Sequence, residues 1–393
     1  MSVFMGVFMK LLRIRAEGLP LHKNPFDVSF YALQRVQKNH MEALSHLFGN
    51  VYINTAEAFI GINASGKTTA LRVVSFASML LCATPMNAGF VPKIISDDSE
   101  VVFDIDFYAS NKIYHLQSKI VKTELPDGTN GIRIISEKLW GKNVNSKVNK
   151  SNFLAYDESK PIRVRDNSDE YLSDDVSIVI AIKKQIQEKD LFVDLSVLTD
   201  FNLFTPDDSY ASAEIISVLD PTIEYIKVEK NQNKKTMIKL KFQGQPELVL
   251  LNLGELPQYL SSGTVKGLRV FTDAARVLKQ GGYLFIDEIE NHFNKELVVS
   301  LLRLFMSRKT NPKGAVIIFT THYSELLDDM VRNDAIFITR NNDGLSVANL
   351  NSLLKRNDMK KSEVYQSNFL GGTAPKYQAL LALKNGIIAA QEM

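Results

Sequence analysis

Residues 61–69, GINASGKTT, carry the first pattern that could do chemistry: a glycine, four residues and then Gly-Lys-Thr. This pattern is typical of a phosphate-binding loop, in which a glycine-rich bend turns backbone N–H groups toward phosphate oxygens. In such a loop Lys67 would reach the β- and γ-phosphates, and Thr68 would ligate Mg²⁺. The predicted nucleotide contacts in this stretch are Asn63, Gly66, Lys67, Thr68 and Thr69.

A second pattern, YLFIDEIEN at 283–291, has four apolar residues followed by Asp287 and Glu288. In P-loop enzymes a buried strand that ends in aspartate supplies a carboxylate to the Mg²⁺ site, so Asp287 joins Thr68 as a predicted metal-site residue. Glu288 would polarise the attacking water as a general base. The alternative is a core strand that merely ends in two acids. Downstream of a matching phosphate loop, the catalytic interpretation is favoured.

A third pattern, YLSSGTVKGL at 259–268, puts Ser261, Ser262 and Gly263 at the start of a predicted helix. Free N–H groups and hydroxyls at a helix N-terminus can bind an anion, so these three residues form a candidate anion site. The alternative is an ordinary helix cap, with Ser262 or Thr264 as the capping residue. Taken by itself, this pattern favours the cap.

A fourth pattern, IIFTTHYSELL at 317–327, ends a strand at His322. A lone histidine is usually structural. Here it lies at the carboxyl end of a core strand, where ligands collect in open α/β sheets. His322 is therefore predicted to contact the γ-phosphate and to belong to the catalytic set with Glu288.

The elements that must position these residues alternate between strands and helices. The loop follows a β-rich run at 51–61 and precedes a helical run, and the acidic strand and the histidine strand are separated by a helix. This order predicts a parallel α/β core with an antiparallel β subdomain. The antiparallel part is predicted from a strand pair at 9–18 and 26–33, a meander at 101–109, 113–123 and 131–140, and a hairpin at 222–243. Helices are predicted at 39–48 and 174–190.

Composition excludes several classes of protein. The 393 residues have a net charge of +2 and are 45% hydrophobic, which is ordinary for a globular protein and does not indicate a nucleic-acid binder. The single cysteine excludes an internal disulfide and fits a reducing cytoplasm, where we expect the protein to reside. The apolar run at 73–83 is too short to span a bilayer, so no membrane segment is predicted.

In this order, GINASGKT, LSSGT, FIDE and TTH resemble the Walker A, signature, Walker B and switch-histidine motifs of ABC-type ATPases. The sequences of these motifs are most similar to those of the stand-alone ATPases in the overcoming-lysogenization-defect and abortive-infection defence groups. The resemblance covers most of the chain and is weakest between 141 and 215. It implies a P-loop NTPase fold with an ABC head: a mixed core sheet, an antiparallel β subdomain and a helical subdomain.

The resemblance also implies three regions and a shared site. Residues 1–140 would form the lobe with Walker A, 141–260 an inserted region, and 261–393 the lobe with the other motifs. ATP and Mg²⁺ would be bound, and Ser261, Ser262 and Gly263 would contact the nucleotide held by a second copy of the chain. The signature departs from the usual pattern because it lacks the second glycine and the glutamine. The glutamine loop has no clear counterpart, since Gln117 lies within a predicted strand.

We see no second catalytic set, so the resemblance implies a sensor or regulator that forms a homodimer or larger homo-oligomer. Its effector would be a separately encoded nuclease or toxin. The alternative is a recombination-mediator-like DNA-repair ATPase that clamps DNA. Nucleic acid is a possible partner because lysines cluster at 141–150, 227–241 and 354–361, although solvated faces are the favoured interpretation. A scaffold with negligible hydrolysis is a third alternative.

Overall fold

The computed structural model describes residues 9–83, 85–88, 94–95, 99–165, 172–186, 193–196, 212–230, 236–291, 293–354, 356, 359–373 and 377–391. The strands are β1 Lys10–Glu17, β2 Phe26–Ser29, β3 Leu44–Phe48, β4 Val51–Asn54, β5 Ala56–Ile60, β6 Glu100–Ala109, β7 Lys112–Glu124, β8 Asn130–Asn143, β9 Arg163–Arg165, β10 Val193–Ser196, β11 Ile223–Lys230, β12 Thr236–Phe242, β13 Leu248–Leu250, β14 Tyr283–Ile286, β15 Val316–Thr321, β16 Ile336–Asn341 and β17 Leu345–Asn349.

The α-helices are α1 Lys67–Cys82, α2 Ile180–Ile186, α3 Ala213–Leu219, α4 Ser262–Gln280, α5 Lys295–Phe305, α6 Leu326–Asp329, α7 Leu350–Leu353, α8 Lys361–Gln366 and α9 Tyr377–Gln391. Short 3₁₀ turns cover Lys38–Ala43, Met86–Ala88, Leu253–Gln258 and Asn333–Ala335. No helix in these described ranges is both long and apolar enough to cross a membrane.

The core sheet has the strand order β10-β14-β15-β5-β16-β17. Its first five strands run parallel, and β17 returns antiparallel to β16. Strands β5, β14 and β15 are fully buried, as expected for parallel strands covered on both faces. The predicted parallel α/β core is therefore confirmed. Because β14, β15 and β5 are neighbours, the residues that follow them meet at one edge of the sheet.

A second sheet, with the order β2-β1-β6-β7-β8-β9, is antiparallel throughout. It contains the predicted strand pair and the predicted three-stranded meander. Gln117 lies in the middle of β7, where its side chain donates a hydrogen bond to Asp104 on β6 (3.0 Å). Gln117 therefore lies within a strand, as predicted, and not in a loop of the kind that carries the glutamine in ABC-type ATPases.

Helix α1 is packed between the two sheets, and this arrangement fixes where the phosphate loop points. Its apolar residues join one hydrophobic cluster with β1 and β6 of the antiparallel sheet and with Phe285 and Ile318 of the core sheet. Helices α4 and α5 cover the opposite face of the core sheet in a second cluster. The buried Lys10 ties the two sheets together because its ammonium donates to the carbonyls of Gly281 (2.7 Å) and Gly314 (2.6 Å).

Strands β11, β12 and β13 form a third, antiparallel sheet, whose apolar residues pack against α3 and the start of α4. This confirms the hairpin predicted at 222–243, although its basic tip at 231–235 lies outside the described residues. The boundary predicted at residue 140 falls within β8, which continues to Asn143. The region 141–260 also supplies β10, an edge strand of the core sheet.

Two of the predicted helices are corrected. Residues 39–48 are not one helix but a 3₁₀ turn followed by β3, which pairs with β4. The pairing with β4 satisfies the backbone of this segment and buries Leu44 and Phe48, which outweighs its helix-forming composition. In the segment 174–190 the helix begins only at Ile180, and residues 187–190 lie outside the described part of the chain.

Candidate nucleotide-binding site

The phosphate loop connects β5 to α1 and is held in shape by two glycines. Gly66 caps the helix with φ 94°, a conformation that residues with a side chain rarely adopt. Gly61 is closely surrounded, because a Cβ there would lie 2.1 Å from Ser65 Oγ and 2.7 Å from the Thr339 carbonyl oxygen. The loop therefore needs glycine at position 66 for its backbone angle and at position 61 for space.

Strand β16 supports the loop from the side. The hydroxyls of Ser65 and Thr339 are hydrogen bonded at 2.7 Å, and Thr339 Oγ1 also donates to the Ile60 carbonyl at 3.2 Å. Asn341 donates its side-chain N–H to the carbonyl of Ala64 at 3.2 Å. These contacts fix the loop, so that its backbone N–H groups are oriented by the fold itself.

Lys67 lies inside the loop and faces the histidine strand. Its ammonium donates to the carbonyls of Gly61 (3.1 Å) and Ile62 (3.2 Å) and to Nδ1 of His322 (3.3 Å). Burial lowers the pKa of Lys67, although the nearby carboxylates, of which Glu288 is the strongest, act in the opposite direction. A cation held by carbonyl dipoles at the mouth of the loop is suited to receive phosphate oxygens.

Thr68 and Asp287 meet beside the lysine. The Thr68 hydroxyl donates to the Asp287 carboxylate at 2.8 Å, and the Thr320 hydroxyl donates to the same carboxylate at 2.6 Å. Hydroxyl and carboxylate oxygens are the ligands that Mg²⁺ takes in phosphate-transfer enzymes. The donor set present therefore fits the ion that the sequence pattern predicts.

Glu288 follows Asp287 in a strained backbone conformation. Its φ is 48°, and its N–H donates to Thr320 Oγ1 at 2.7 Å. A non-glycine residue in this region costs about 1–3 kcal/mol and persists where the surrounding structure enforces it, often at functional sites. The backbone turns the carboxylate outward, so that 38% of the Glu288 side chain is exposed and a water molecule can reach it.

His322 follows β15 and lies between the lysine and the glutamate. Its Nδ1 faces the Lys67 ammonium, and its Nε2 lies 3.7 Å from Glu288 Oε1. Because an ammonium can only donate, Nδ1 must accept the bond from Lys67, which assigns the ring proton of the neutral imidazole to Nε2. The predicted catalytic pair is thus adjacent, and both residues border the phosphate loop.

The signature residues lie at the start of α4. Ser261 is the N-cap: its hydroxyl oxygen accepts the N–H of Thr264 at 3.0 Å. The capping residue is therefore Ser261, and the interpretation with Ser262 or Thr264 as the cap is wrong. Ser261 and Ser262 are exposed, and Gly263 is half-buried. One turn further on, the buried Lys266 donates to the carbonyl of Asn291 (2.9 Å), which ties this helix to the turn after Glu288.

Of the remaining predicted contacts, Asn63 is exposed at the top of the loop and Thr69 is half-buried in the first turn of α1. Three residues that the sequence patterns did not single out support the site. Thr320 holds Asp287, Thr339 holds the loop, and the Glu290 carboxylate accepts the backbone N–H of His322. The quoted runs contain Thr320 and Glu290, but no spacing rule gives either of them a role.

The comparison with known families adds one finding. A family model described as "AAA domain, putative AbiEii toxin, Type IV TA system" matches residues 58–328. This match spans well over half of the chain. The chain belongs to this AAA family. No curated protein matches the sequence.

For this AAA-family chain, the matched range begins inside β5 and ends inside α6, and it includes the phosphate loop, the start of α4, Glu288 and His322. The protein is accordingly an AAA-type P-loop NTPase with mixed α/β content and several sheets. Proteins with such a domain are nucleotide-hydrolysing ATPases that use ATP with Mg²⁺.

Proposed function

We propose that this protein binds and hydrolyses ATP and uses the cycle to regulate a defence response. The observation that carries the proposal is the junction of Lys67, Thr68, Asp287, Glu288 and His322 at one edge of the core sheet, where each is tied to a neighbour in the group by a hydrogen bond or ion pair. A phosphate loop alone would bind a nucleotide. The outward carboxylate next to a metal-site aspartate is what favours hydrolysis.

The chemistry follows from what each residue can do. The loop N–H groups and Lys67 hold the phosphates, while Thr68 and Asp287 would hold Mg²⁺, which supplies positive charge to the phosphate oxygens. Glu288 orients the attacking water and accepts its proton. His322 would donate its Nε2 proton to the γ-phosphate of ATP, from the side of the ring that faces Glu288. The contact is lost when the γ-phosphate leaves, so His322 reports whether ATP is bound. Phosphate oxygens would compete with the carbonyls of Gly61 and Ile62 for the Lys67 ammonium.

We further propose an ABC-type head whose site is completed by a second copy of the chain. The support is the exposure of Ser261 and Ser262 at the N-terminus of the 19-residue helix α4, which places both residues where a nucleotide held by another chain can reach them. In this assembly Ser261, Ser262 and Gly263 of one copy contact the nucleotide held by Lys67 of the other. ATP binding closes the assembly, and hydrolysis by Glu288 opens it.

The defence context is drawn from the family description, which names a toxin of a Type IV toxin–antitoxin system. We propose that the ATPase acts as the sensor or regulator and that a separately encoded effector, a nuclease or a toxin, is controlled by it. The switch between the closed and open assemblies would carry the signal.

The test compares three forms of the purified full chain: the parent, Lys67→Ala and Glu288→Gln. Nucleotide binding is followed with a fluorescent ATP analogue, and hydrolysis by phosphate release with Mg²⁺. We expect Lys67→Ala to lose binding and Glu288→Gln to bind normally while releasing phosphate about 100-fold or more slowly, since a positioned general base contributes about 10²–10⁴-fold. Normal turnover by Glu288→Gln would show that another group is the base. Binding without turnover by the parent would favour the scaffold.

A further inference from the structure

Glu290 is a buried carboxylate that the mechanism above does not use. It lies two residues after Glu288, in the turn that follows β14, and only 9% of it is exposed. Its Oε1 accepts the backbone N–H of His322, which belongs to the loop after β15. The contact therefore joins the two loops that carry the general base and the γ-phosphate contact.

The second carboxylate oxygen of Glu290 indicates that the residue does more than pack against its neighbours. Oε2 is buried and makes no hydrogen bond to any residue within the described ranges. Burying a carboxylate with one oxygen unsatisfied costs free energy, so an apolar residue would serve packing alone better. The Glu290 carboxylate is thus tied to the phosphate site through His322, whose imidazole contacts the Lys67 ammonium.

We propose that Glu290 positions His322 for ATP hydrolysis. This inference rests on the proposed ATPase function. By accepting the N–H of His322, Glu290 fixes the backbone from which the imidazole reaches between the Lys67 ammonium (3.3 Å) and the Glu288 carboxylate (3.7 Å). Without this acceptor the backbone of His322 loses its hydrogen bond to the turn after β14. The imidazole then no longer faces both partners, although neither the phosphate loop nor the base has changed.

The experiment compares the parent with Glu290→Ala, Glu290→Gln, His322→Ala and the double variant Glu290→Ala/His322→Ala in the full chain. Glu296→Ala is the matched control, because Glu296 is an exposed carboxylate six residues away in the first turn of α5. Two quantities are measured: the rate of phosphate release at saturating Mg·ATP, and the ratio of the dissociation constants for ADP and ATP. The ratio needs no turnover and reports the γ-phosphate contact directly.

We expect Glu290→Ala to slow phosphate release about 10- to 100-fold, because a misplacement of about 1 Å in a catalytic group can cost 10²-fold. Glu290→Ala should also lower the ratio of the ADP to the ATP dissociation constant, and we expect the same change in His322→Ala. Glu290→Gln keeps an acceptor oxygen and should stay within about threefold of the parent. The double variant should be no worse than His322→Ala, since the two residues act as one unit.

Three results would overturn the inference alone. The first is a Glu290→Ala variant with the parent's rate and ATP preference, and the second is a double variant in which the two effects add fully. Equal damage in Glu290→Gln and Glu290→Ala would also overturn it, because the acceptor oxygen would then not be what matters. The proposed function fails separately if the parent itself binds ATP without releasing phosphate. If Glu290→Ala does not fold, Glu290→Gln and the ADP-to-ATP ratio still decide the matter.

Discussion

At the scale of single residues, the site is defined by side chains and backbone angles that tolerate little change. Glu288 has φ 48° and Gly66 has φ 94°, so both flanks of the phosphate site depend on conformations that most residues avoid. Sequence spacing was enough to predict the group Lys67, Thr68, Asp287, Glu288 and His322, which the structure brings together. The roles of Glu290, Thr320 and Thr339 arise from contacts between distant strands, so no local pattern could reveal them.

Gly61 gives the sharpest prediction at this scale. In Gly61→Ala the new Cβ would meet the backbone of Thr339 within β16 and the Ser65 hydroxyl, which is hydrogen bonded to Thr339, so neither can withdraw easily. We expect a loss of about 1–3 kcal/mol in the free energy of unfolding, the usual cost of overpacking, together with loss of nucleotide binding. Urea unfolding and a binding titration measure the two effects.

The matched control is Gly386→Ala, because a Cβ added to Gly386 on α9 meets nothing within 4 Å. It should leave nucleotide binding unchanged and should stabilise the helix slightly. A Gly61→Ala variant with the stability and the binding of the parent would contradict the account of how the loop is packed.

At the scale of elements, strands and helices with a strong hydrophobic periodicity could be predicted from the sequence. Segments that could form either a strand or a helix could not. The alternation of buried strands with helices gave the parallel core, and the turns gave the meander and the hairpin. The segment at 39–48 failed because its own residues favour a helix, whereas pairing of β3 with β4 decides the outcome. Likewise nothing local marks β10 as an edge strand of the core sheet, since its partner β14 lies far along the chain.

The antiparallel sheet contains a charged group that makes its stability depend on pH. His115 on β7 is hydrogen bonded to Asp106 (2.9 Å) and lies 3.4 Å from Asp104, both on β6. Burial acts to lower the pKa of His115, but the two carboxylates outweigh it and raise the pKa to about 9 from an ordinary 6.5. The folded state therefore binds this proton more tightly than the unfolded state.

It follows that the contribution of His115 to stability is complete below pH 6.5 and is lost as the pH rises through about 9. A shift of this size corresponds to at most about 3 kcal/mol. In His115→Gln the free energy of unfolding should fall below that of the parent at pH 6, and the difference should shrink toward pH 10. Urea titrations across this range test it, and a difference that does not vary with pH would contradict it.

At the scale of the whole molecule, the motifs come from distant parts of the chain. The loop, the acids and the histidine form one junction at the edge of the core sheet, while Ser261 and Ser262 are exposed at the start of α4. Sequence spacing predicted the members of this junction but not where the signature residues lie relative to it, because that depends on how the elements are arranged. The resemblance to ABC heads supplied the expectation of a shared site, and the exposed serines are compatible with it.

The measurement that tests the central claim most directly is the molar mass of Glu288→Gln in solution, determined by light scattering. The central claim is that one chain holds half of an ATP site and that a second copy completes it. With Mg·ATP we predict a shift from the 44.2 kDa chain to at least twice that mass, and with ADP no such shift. The same mass with ATP, with ADP and without nucleotide would contradict the claim.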